Sequence, residues 1–437
     1  GMTPDHNPGR VHARELSAVA VSFAYFFCVL AAYYVMRPVR EQLAAAVGST
    51  QLPWFFGATF VATLVLTPLF AWLAARYARR VLVPVVYLFF IACLLGFVPL
   101  FGNQGLLSPR ALGILFFVWV SVFNLFVVSV FWIFMSDIWD ERQARRLFPI
   151  IGLGGTAGAI AGPALTRSLV GVIGVAPLLV VSASLLGIAL LCVAWLGKWS
   201  RRHGTRRSVA DEAAIGGGMF DGLRQVFAHP FMRSMALLML LGDAIGTVNY
   251  ALVTDYSGAT YHDAVSRTRF AANIDLATNI LQVVVQLTLT RWMLVRYGAA
   301  APIATWAGAT VLALVMVMLA PSVGLPGGVV LPTVALALIV SRGLSYGMQS
   351  PARESLFTFV PRSLRYKGKN AVDTAVWRFG DVVVASSMNL LRTVGVVVGG
   401  FAALGAFAAA ASGVIGWRLA KRVERSNPGA ADAPRGP

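Results

Sequence analysis

The sequence predicts an all-α integral membrane protein: a bundle of twelve helices in two six-helix halves. Three observations predict it: the composition, the spacing of the apolar runs, and the side on which the arginines fall. Of 437 residues, 58% are hydrophobic and only 12% charged, with a mean hydropathy of +0.73. Soluble domains carry about 25% charged residues, so half that share over this length needs lipid as solvent.

A helix needs about 20 apolar residues to cross the hydrocarbon core. That ruler places spans at 16–36, 53–75, 81–101, 111–135, 149–172 and 174–197. Six more follow at 232–254, 270–292, 299–320, 329–350, 370–391 and 394–418. The polar start of the chain has no small-residue cleavage site, so the first apolar run is expected to be a retained span, and Gly1 before Met2 reads as a tag scar. Cys28, Cys93 and Cys192 lie inside apolar runs without metal-ligand spacing and read as small buried hydrophobes.

Basic residues alternate with the hairpins. Arg10 and Arg14, Arg76 to Arg80, Arg142 to Arg146, Lys198 to Arg224, Arg291 and Arg296, Arg362 to Lys369 and the Arg418–Arg425 tail fall on one side. The other side holds Arg110, Arg167, Arg267, Arg269 and Arg392. By the positive-inside rule both termini are expected to be cytoplasmic. The net charge of +18 is then mainly a topology signal. Nucleic-acid binding needs a clustered basic face that this alternation does not build.

The expected boundaries are a tail at 1–15, a first half at 16–197, a linker at 198–230, a second half at 231–420 and a tail at 421–437. Within the linker, Met219, Phe220, Leu223, Val226 and Phe227 recur at helical spacing opposite Asp221, Arg224 and Gln225. They predict a short helix along the membrane surface, with a disordered linker as the alternative. The halves echo each other: Trp72-x-x-x-Arg76-Tyr77 and Trp292-x-x-x-Arg296-Tyr297 end the second span of each. Parallel six-helix repeats joined by a cytoplasmic linker are the layout of major facilitator transporters.

Polar groups inside spans are costly and mark function by default. Asp243, Thr247, Tyr250 and Thr254 share one helix face, and Asp275, Asn279, Gln282 and Gln286 repeat that spacing in the next span. Arg342, Ser345, Tyr346 and Gln349 make a third stripe. These stripes are expected to line a watery cavity. The alternative is interhelical hydrogen-bond glue, worth about 0.6 kcal/mol per contact. Arg37 and Glu41 are spaced to pair, which leaves Arg40 as the freer cation, while Arg378 and Asp381 are spaced to pair in their own span. Several arginines in a low-dielectric site suit an anion, because guanidinium binds phosphate or carboxylate bidentately. Gly154, Gly158 and Gly162 form a small-xxx-small strip for close helix packing rather than a phosphate loop.

Several segments together resemble the nucleotide transporter family, the ATP:ADP antiporters. Tyr34-Val-Met-Arg37-Pro-Val-Arg40-Glu41 is similar to that family's tyrosine followed by R-D-x-K-D. Val128 to Trp132, continued by Gln143-Ala-Arg145-Arg146-Leu-Phe-Pro-Ile-Ile-Gly152-Leu-Gly154, resembles its E-A-K-R-F-Y-P-L-F-G-L-G run. Arg353-Glu354 with Tyr366-Lys367-Gly-Lys369-Asn-Ala-Val-Asp373 is similar to its R/K-E and K-x-R/K-G-K-A-x-I-D pattern. The sequence departs from the family at Asn124 and Leu252, where the family is acidic, and at Asp381, where it has a cation.

The resemblance implies an alternating-access carrier of the bacterial inner membrane, monomeric and without a cofactor, a metal or a nucleic-acid partner. Its only partners would be the small solute and membrane lipid. The solute would be anionic or zwitterionic, a nucleotide or a phosphorylated metabolite. Substrate contacts are expected from Arg37, Arg40, Asn124, Arg342, Tyr346, Arg378 and Asp381. Coupling or gating is expected from Glu41, Asp243 and Asp275, and cavity lining from Tyr34, Tyr250, Asn279, Gln282, Gln286 and Gln349. The alternative is a proton-coupled carrier or exporter of another organic solute, on the strength of Asp243 as a lone deep carboxylate. A membrane enzyme would need a nucleophile–base pair, paired catalytic carboxylates or a metal cluster, and none has plausible spacing.

Overall fold

The computed structural model describes residues 12–102, 105–203, 219–361 and 376–426. The expected tails at 1–11 and 427–437, most of the linker, and the Arg362–Asp373 motif lie outside the described residues. Helices come in the order α1 (Leu16–Val47), α2 (Leu52–Arg76), α3 (Arg79–Gly102), α4 (Pro109–Ile138), α5 (Glu141–Ile173) and α6 (Ala176–His203). Then follow α7 (Met219–Ala228), α8 (Pro230–Thr260), α9 (Ala264–Val285), α10 (Arg291–Tyr297) and α11 (Ala300–Leu319). The chain ends with α12 (Thr333–Leu344), α13 (Ser350–Phe357), α14 (Trp377–Thr393) and α15 (Val398–Ser426).

Among the described residues, ten helical stretches are long and apolar enough to cross a membrane. The expected spans at 329–350 and 370–391 are not among the ten. The first is helical from Thr333 through a π turn at Ser345–Gln349 to Phe357, and the second is described from residue 376. Both carry the polar residues singled out above, which lower their hydropathy. Helix α1 runs to Val47, well past the end of its apolar window. Arg37, Arg40 and Glu41 therefore sit inside a helix rather than at its mouth.

The chain forms two compact units. One comprises Gly1–Leu43, Val65–Ala214 and Asp263–Leu276; the other comprises Ala44–Leu64, Ile215–His262 and Ala277–Pro437. Residues 44–64 group with the second unit and 263–276 with the first.

In the first unit, α1 packs on α5 along the glycine strip. A Cβ at Gly154 or Gly158 would meet the carbonyl oxygen of Phe23 or Phe27, and one at Gly162 would lie 2.6 Å from Tyr34 Cβ. Buried hydroxyls reinforce the bundle, with Thr166 donating to the Val35 carbonyl at 2.9 Å and Ser182 to that of Ala32 at 2.9 Å. Tyr25 and Tyr87 share a hydrogen bond between their hydroxyls. Helix α5 opens with a capping box: Gln143 N donates to Asp140 Oδ1 at 2.9 Å, and Asp140 N donates to Gln143 Oε1 at 3.1 Å.

Just before α1, Glu15 is 1% exposed. It accepts from Arg146 Nη1 at 2.8 Å and Nη2 at 3.1 Å, from Gln143 Nε2 at 2.8 Å and from His12 N at 3.2 Å. Burial alone pushes its pKa up, but the hydrogen bonds from Arg146, Gln143 and His12 outweigh it and hold the carboxyl below its usual value. A depressed carboxylate pKa stabilises the fold above the unfolded value, about 4.3, and that stability is lost as pH falls through the folded pKa. Glu15→Gln should therefore lower the unfolding temperature at pH 7 and flatten its decline toward acid pH. Parallel melting curves of both proteins from neutral to acid pH would expose a wrong assignment.

The second unit is built on α8. Met232, Met235 and Leu238 bury against Ile303, Leu356 and Leu419, with Val226 of α7 joining them. The expected short helix is thus present as α7, with Val226 turned into this cluster and Phe227 left 70% exposed. Glycines again set close approaches: a Cβ at Gly416 would lie 2.6 Å from Ile303 Cγ2. Between α11 and α12 the chain makes an antiparallel hairpin that periodicity does not foresee, Ser322–Gly324 (β1) against Val330–Pro332 (β2). Its turn contains Gly327 at φ 92° and Gly328 at φ 80°, the left-handed conformations that glycine supplies.

The 48–51 turn is tied down within this unit. Asp255 accepts from Ser49 N at 2.8 Å and from its hydroxyl at 2.5 Å, and Arg392 donates to the Ser49 hydroxyl at 2.7 Å. Asn389 Nδ2 donates to the Thr50 carbonyl at 2.9 Å.

Candidate functional site

In the first unit the structure gathers Tyr34, Arg37, Arg40, Glu41 and Asp275. Arg40 Nη2 lies 2.5 Å and its Nε 3.1 Å from Glu41 Oε1, and its guanidinium sits 4.6 Å from the centre of the Phe117 ring. Arg37 Nε is 3.8 Å from Glu41 Oε1 and 3.9 Å from Asp275 Oδ2, with its guanidinium 5.7 Å from the Tyr34 ring centre. The i,i+4 rule pairs Arg37 with Glu41 and leaves Arg40 freer; the structure keeps that pair but gives Arg40 the closer contact. Arg40 is 9% exposed and holds the close contact. Adjacent side chains on a helix diverge by about 100°, yet two long side chains fold back to meet over Phe117. Of the two expected substrate cations, Arg40 is thus the better neutralised.

Asn124 is half-buried on α4, two turns beyond Phe117 on the same face. Two more polar contacts of this unit escape sequence reading: Arg167 Nε donates to Asn273 Oδ1 at 2.5 Å, and Arg267 Nη2 to Gln42 Oε1 at 3.4 Å.

In the second unit, Asp243 and Asp381 bring their carboxyls together. Thr247, one turn along α8 from Asp243, donates to Asp381 Oδ1 at 2.9 Å. Arg378, one turn before Asp381, acts electrostatically on both. Asp243 is therefore not the lone deep carboxylate expected. A Cβ on Gly380 would lie 3.2 Å from Leu240 Cδ2 and 3.9 Å from Asp243 Oδ2, so α14 lies close against α8 at this point.

Gln349 is 1% exposed. It accepts from the Ser345 hydroxyl at 3.2 Å, and its amide faces Gly242, the residue before Asp243. Tyr250 is buried beside the Phe56 ring at 6.1 Å. Arg342 is half-buried, and Tyr346 is 47% exposed.

Two π turns shape this region. One spans Gln286–Thr290 and the other Ser345–Gln349, and the Thr290 hydroxyl donates to the Gly347 carbonyl at 2.6 Å. A π turn shifts side-chain register and recurs at functional sites. It ends the predicted 275–286 stripe: Asp275 and Asn279 are buried and Gln282 half-buried, but Gln286 opens the π turn and is exposed. Asp275 belongs to the first unit, and Asn279, Gln282 and Gln286 to the second. A further buried network has no counterpart among the expected stripes. Asn249 Nδ2 donates to Ser341 Oγ at 2.9 Å, and Trp306 Nε1 to the Ser341 carbonyl at 3.1 Å. Its only sequence signal is an amide inside an apolar run.

No family model and no curated protein matches the chain. Solved structures do. The nucleoside transporter NupG superposes with a TM-score of 0.62 at 16% identity, over 93% of this chain and 98% of that one. A bacterial homologue of the iron transporter ferroportin, in an inward-facing state, gives 0.66 at 11%, over 94% and 100%. A POT family transporter in complex with 5-aminolevulinic acid gives 0.61 at 11%, over 93% and 96%. Agreement over nearly the full length of each chain, with the helix order above, shows that this protein has the all-α membrane fold of the major facilitator transporters.

Proposed function

We propose that the protein is a secondary carrier that moves a small anionic or zwitterionic solute by alternating access, with nucleotides and phosphorylated metabolites as the first class to test. The observation that carries this is the pair of guanidiniums on α1. Arg37 and Arg40 are held inside a helix of a membrane protein at a high desolvation cost, each beside a carboxylate. Such a cluster is a charge-balanced exchange site: an incoming phosphate or carboxylate competes with Glu41 and Asp275 for the same donors. The motif resemblance around Arg37 and Arg40 supports the solute class, and the transporters among the similar folds support the carrier reading. We place the chain in the bacterial cytoplasmic membrane with both termini inside, from the arginine alternation.

The test is a thermal-shift screen of the purified chain with nucleotides, phosphate esters, amino acids and organic acids, followed by exchange of the hit in liposomes. A ligand at 100 times its Kd should add about 2.7 kcal/mol to stability. Arg37→Gln should fold but lose that shift. If no nucleotide or phosphate ester stabilises the protein or competes for uptake, the nucleotide version is wrong.

A further inference from the structure

We infer that Asp243 and Asp381 form a proton-binding site in which one proton is shared between two carboxyls at neutral pH. The inference deepens the carrier reading by naming the coupling ion, and rests on that reading only for the proton's use. Two ionised carboxylates in contact repel strongly inside a membrane protein, and a shared proton turns that repulsion into a hydrogen bond. The surroundings assign the donor. Asp381 already accepts from Thr247 at 2.9 Å and is the better anion, while Arg378 acts on both carboxyls. Asp243 Oδ2 is buried with no hydrogen-bond partner among the described residues, which leaves it to carry the proton.

Protonated Asp243 thus donates to Asp381, and the pair carries one negative charge opposite the Arg378 cation. Close by, Gln349 is 1% exposed, its Nε2 has no hydrogen-bond partner among the described residues, and its amide lies beside Gly242, the residue before Asp243.

Helices α15 and α12 also pack on α8. The α15 face presents Gly405 toward Val248 and Gly416 toward Leu238. Helix α12 carries Arg342 beside Ser341, which bonds Asn249 six residues along α8 from Asp243. Deprotonation would place a second anion against Asp381 and Arg378 and force a rearrangement of α14 on α8. Movement of the proton is thereby tied to helix movement.

The experiment is infrared difference spectroscopy of the full chain in liposomes across a pH series, with no substrate added. Wild type should show the carbonyl stretch of a protonated carboxylic acid at pH 7, shifted by heavy water and lost on alkalinisation. Asp243→Asn should remove the band while keeping the neutral-pH unfolding temperature, since the amide imitates the protonated acid. Asp381→Asn should leave Asp243 to answer Arg378 as an anion, and also remove it. Thr247→Val should keep the band but move its loss to another pH.

Absence of the band at pH 7, or its persistence in both Asn variants, overturns the inference. So does its displacement by sodium with thermal stabilisation, which would make this a sodium site. None of these readouts involves a solute, so a failed nucleotide screen leaves the proton site standing, and the reverse also holds.

Discussion

Gly158→Val should separate α1 from α5 and abolish a monodisperse, cooperatively unfolding protein in detergent. A Cβ at Gly158 would collide with the Phe27 carbonyl oxygen and lie 3.0 Å from Ala31 N and 3.1 Å from Leu30 Cβ. Two of these partners are backbone atoms of a helix and cannot turn aside as a side-chain tip can. Membrane helices associate by close packing rather than by a hydrophobic drive, so the loss is not offset elsewhere. Overpacking typically costs 1–3 kcal/mol and more where backbone must shift, so an effect above about 3 kcal/mol is expected. Gly152→Ala is the control: among the described residues nothing lies within 4 Å of its Cβ, and it should unfold like wild type or slightly above it. A Gly158→Val protein with an unchanged unfolding temperature would refute the account. The same packing reaches the charged cluster, because Gly162 rests on Tyr34, one turn before Arg37. Any partly folded Gly158 variant should therefore also lose its ligand response.

The helix layout follows from composition because lipid admits few spanning structures, and a run of about 20 apolar residues has one use. The ruler falters where function intrudes. The stretch holding Arg342 and Gln349 is a span in the expected layout but too polar to pass as one, and its π turn leaves no mark on hydropathy. Burial cost picks out Asp243 and Asp381 one at a time, but spacing gives no reason to join them. Thr247 and Asp381 are 134 residues apart, and only the packing of α14 on α8 brings the two carboxyls together. Asp255, Ser49 and Arg392 escape sequence reading for the opposite reason: polar residues near span ends are ordinary until the fold lays them on one turn. Helix spacing also misassigns Arg40, since the i,i+4 rule describes Cβ neighbours and not where long side chains end.

Arg40→Met should be the most costly single change in the charged cluster, by about 3–5 kcal/mol, the range for breaking a buried ion pair. Glu41 would keep only Arg37 from this set, at 3.8 Å, in place of the contacts from Arg40 at 2.5 and 3.1 Å. Arg40→Lys should cost less, since it keeps the charge but replaces a planar fork over Phe117 with a single ammonium. The informative variant combines Arg40→Met with Glu41→Gln. Replacing both members of a buried pair is often near neutral, so the double variant should recover most of the lost unfolding temperature, and the cycle should show a large coupling energy. Stability and recognition then come apart. If Arg40 serves only to neutralise Glu41, the double variant keeps the thermal shift given by the best anionic ligand. If Arg40 exchanges Glu41 for the ligand's phosphate or carboxylate, the double variant folds but gives no shift, and its liposomes exchange no labelled solute. The exchange reading predicts the second outcome, and a stable double variant with normal ligand response would remove Arg40 from the site and leave Arg37 as the cation facing the solute.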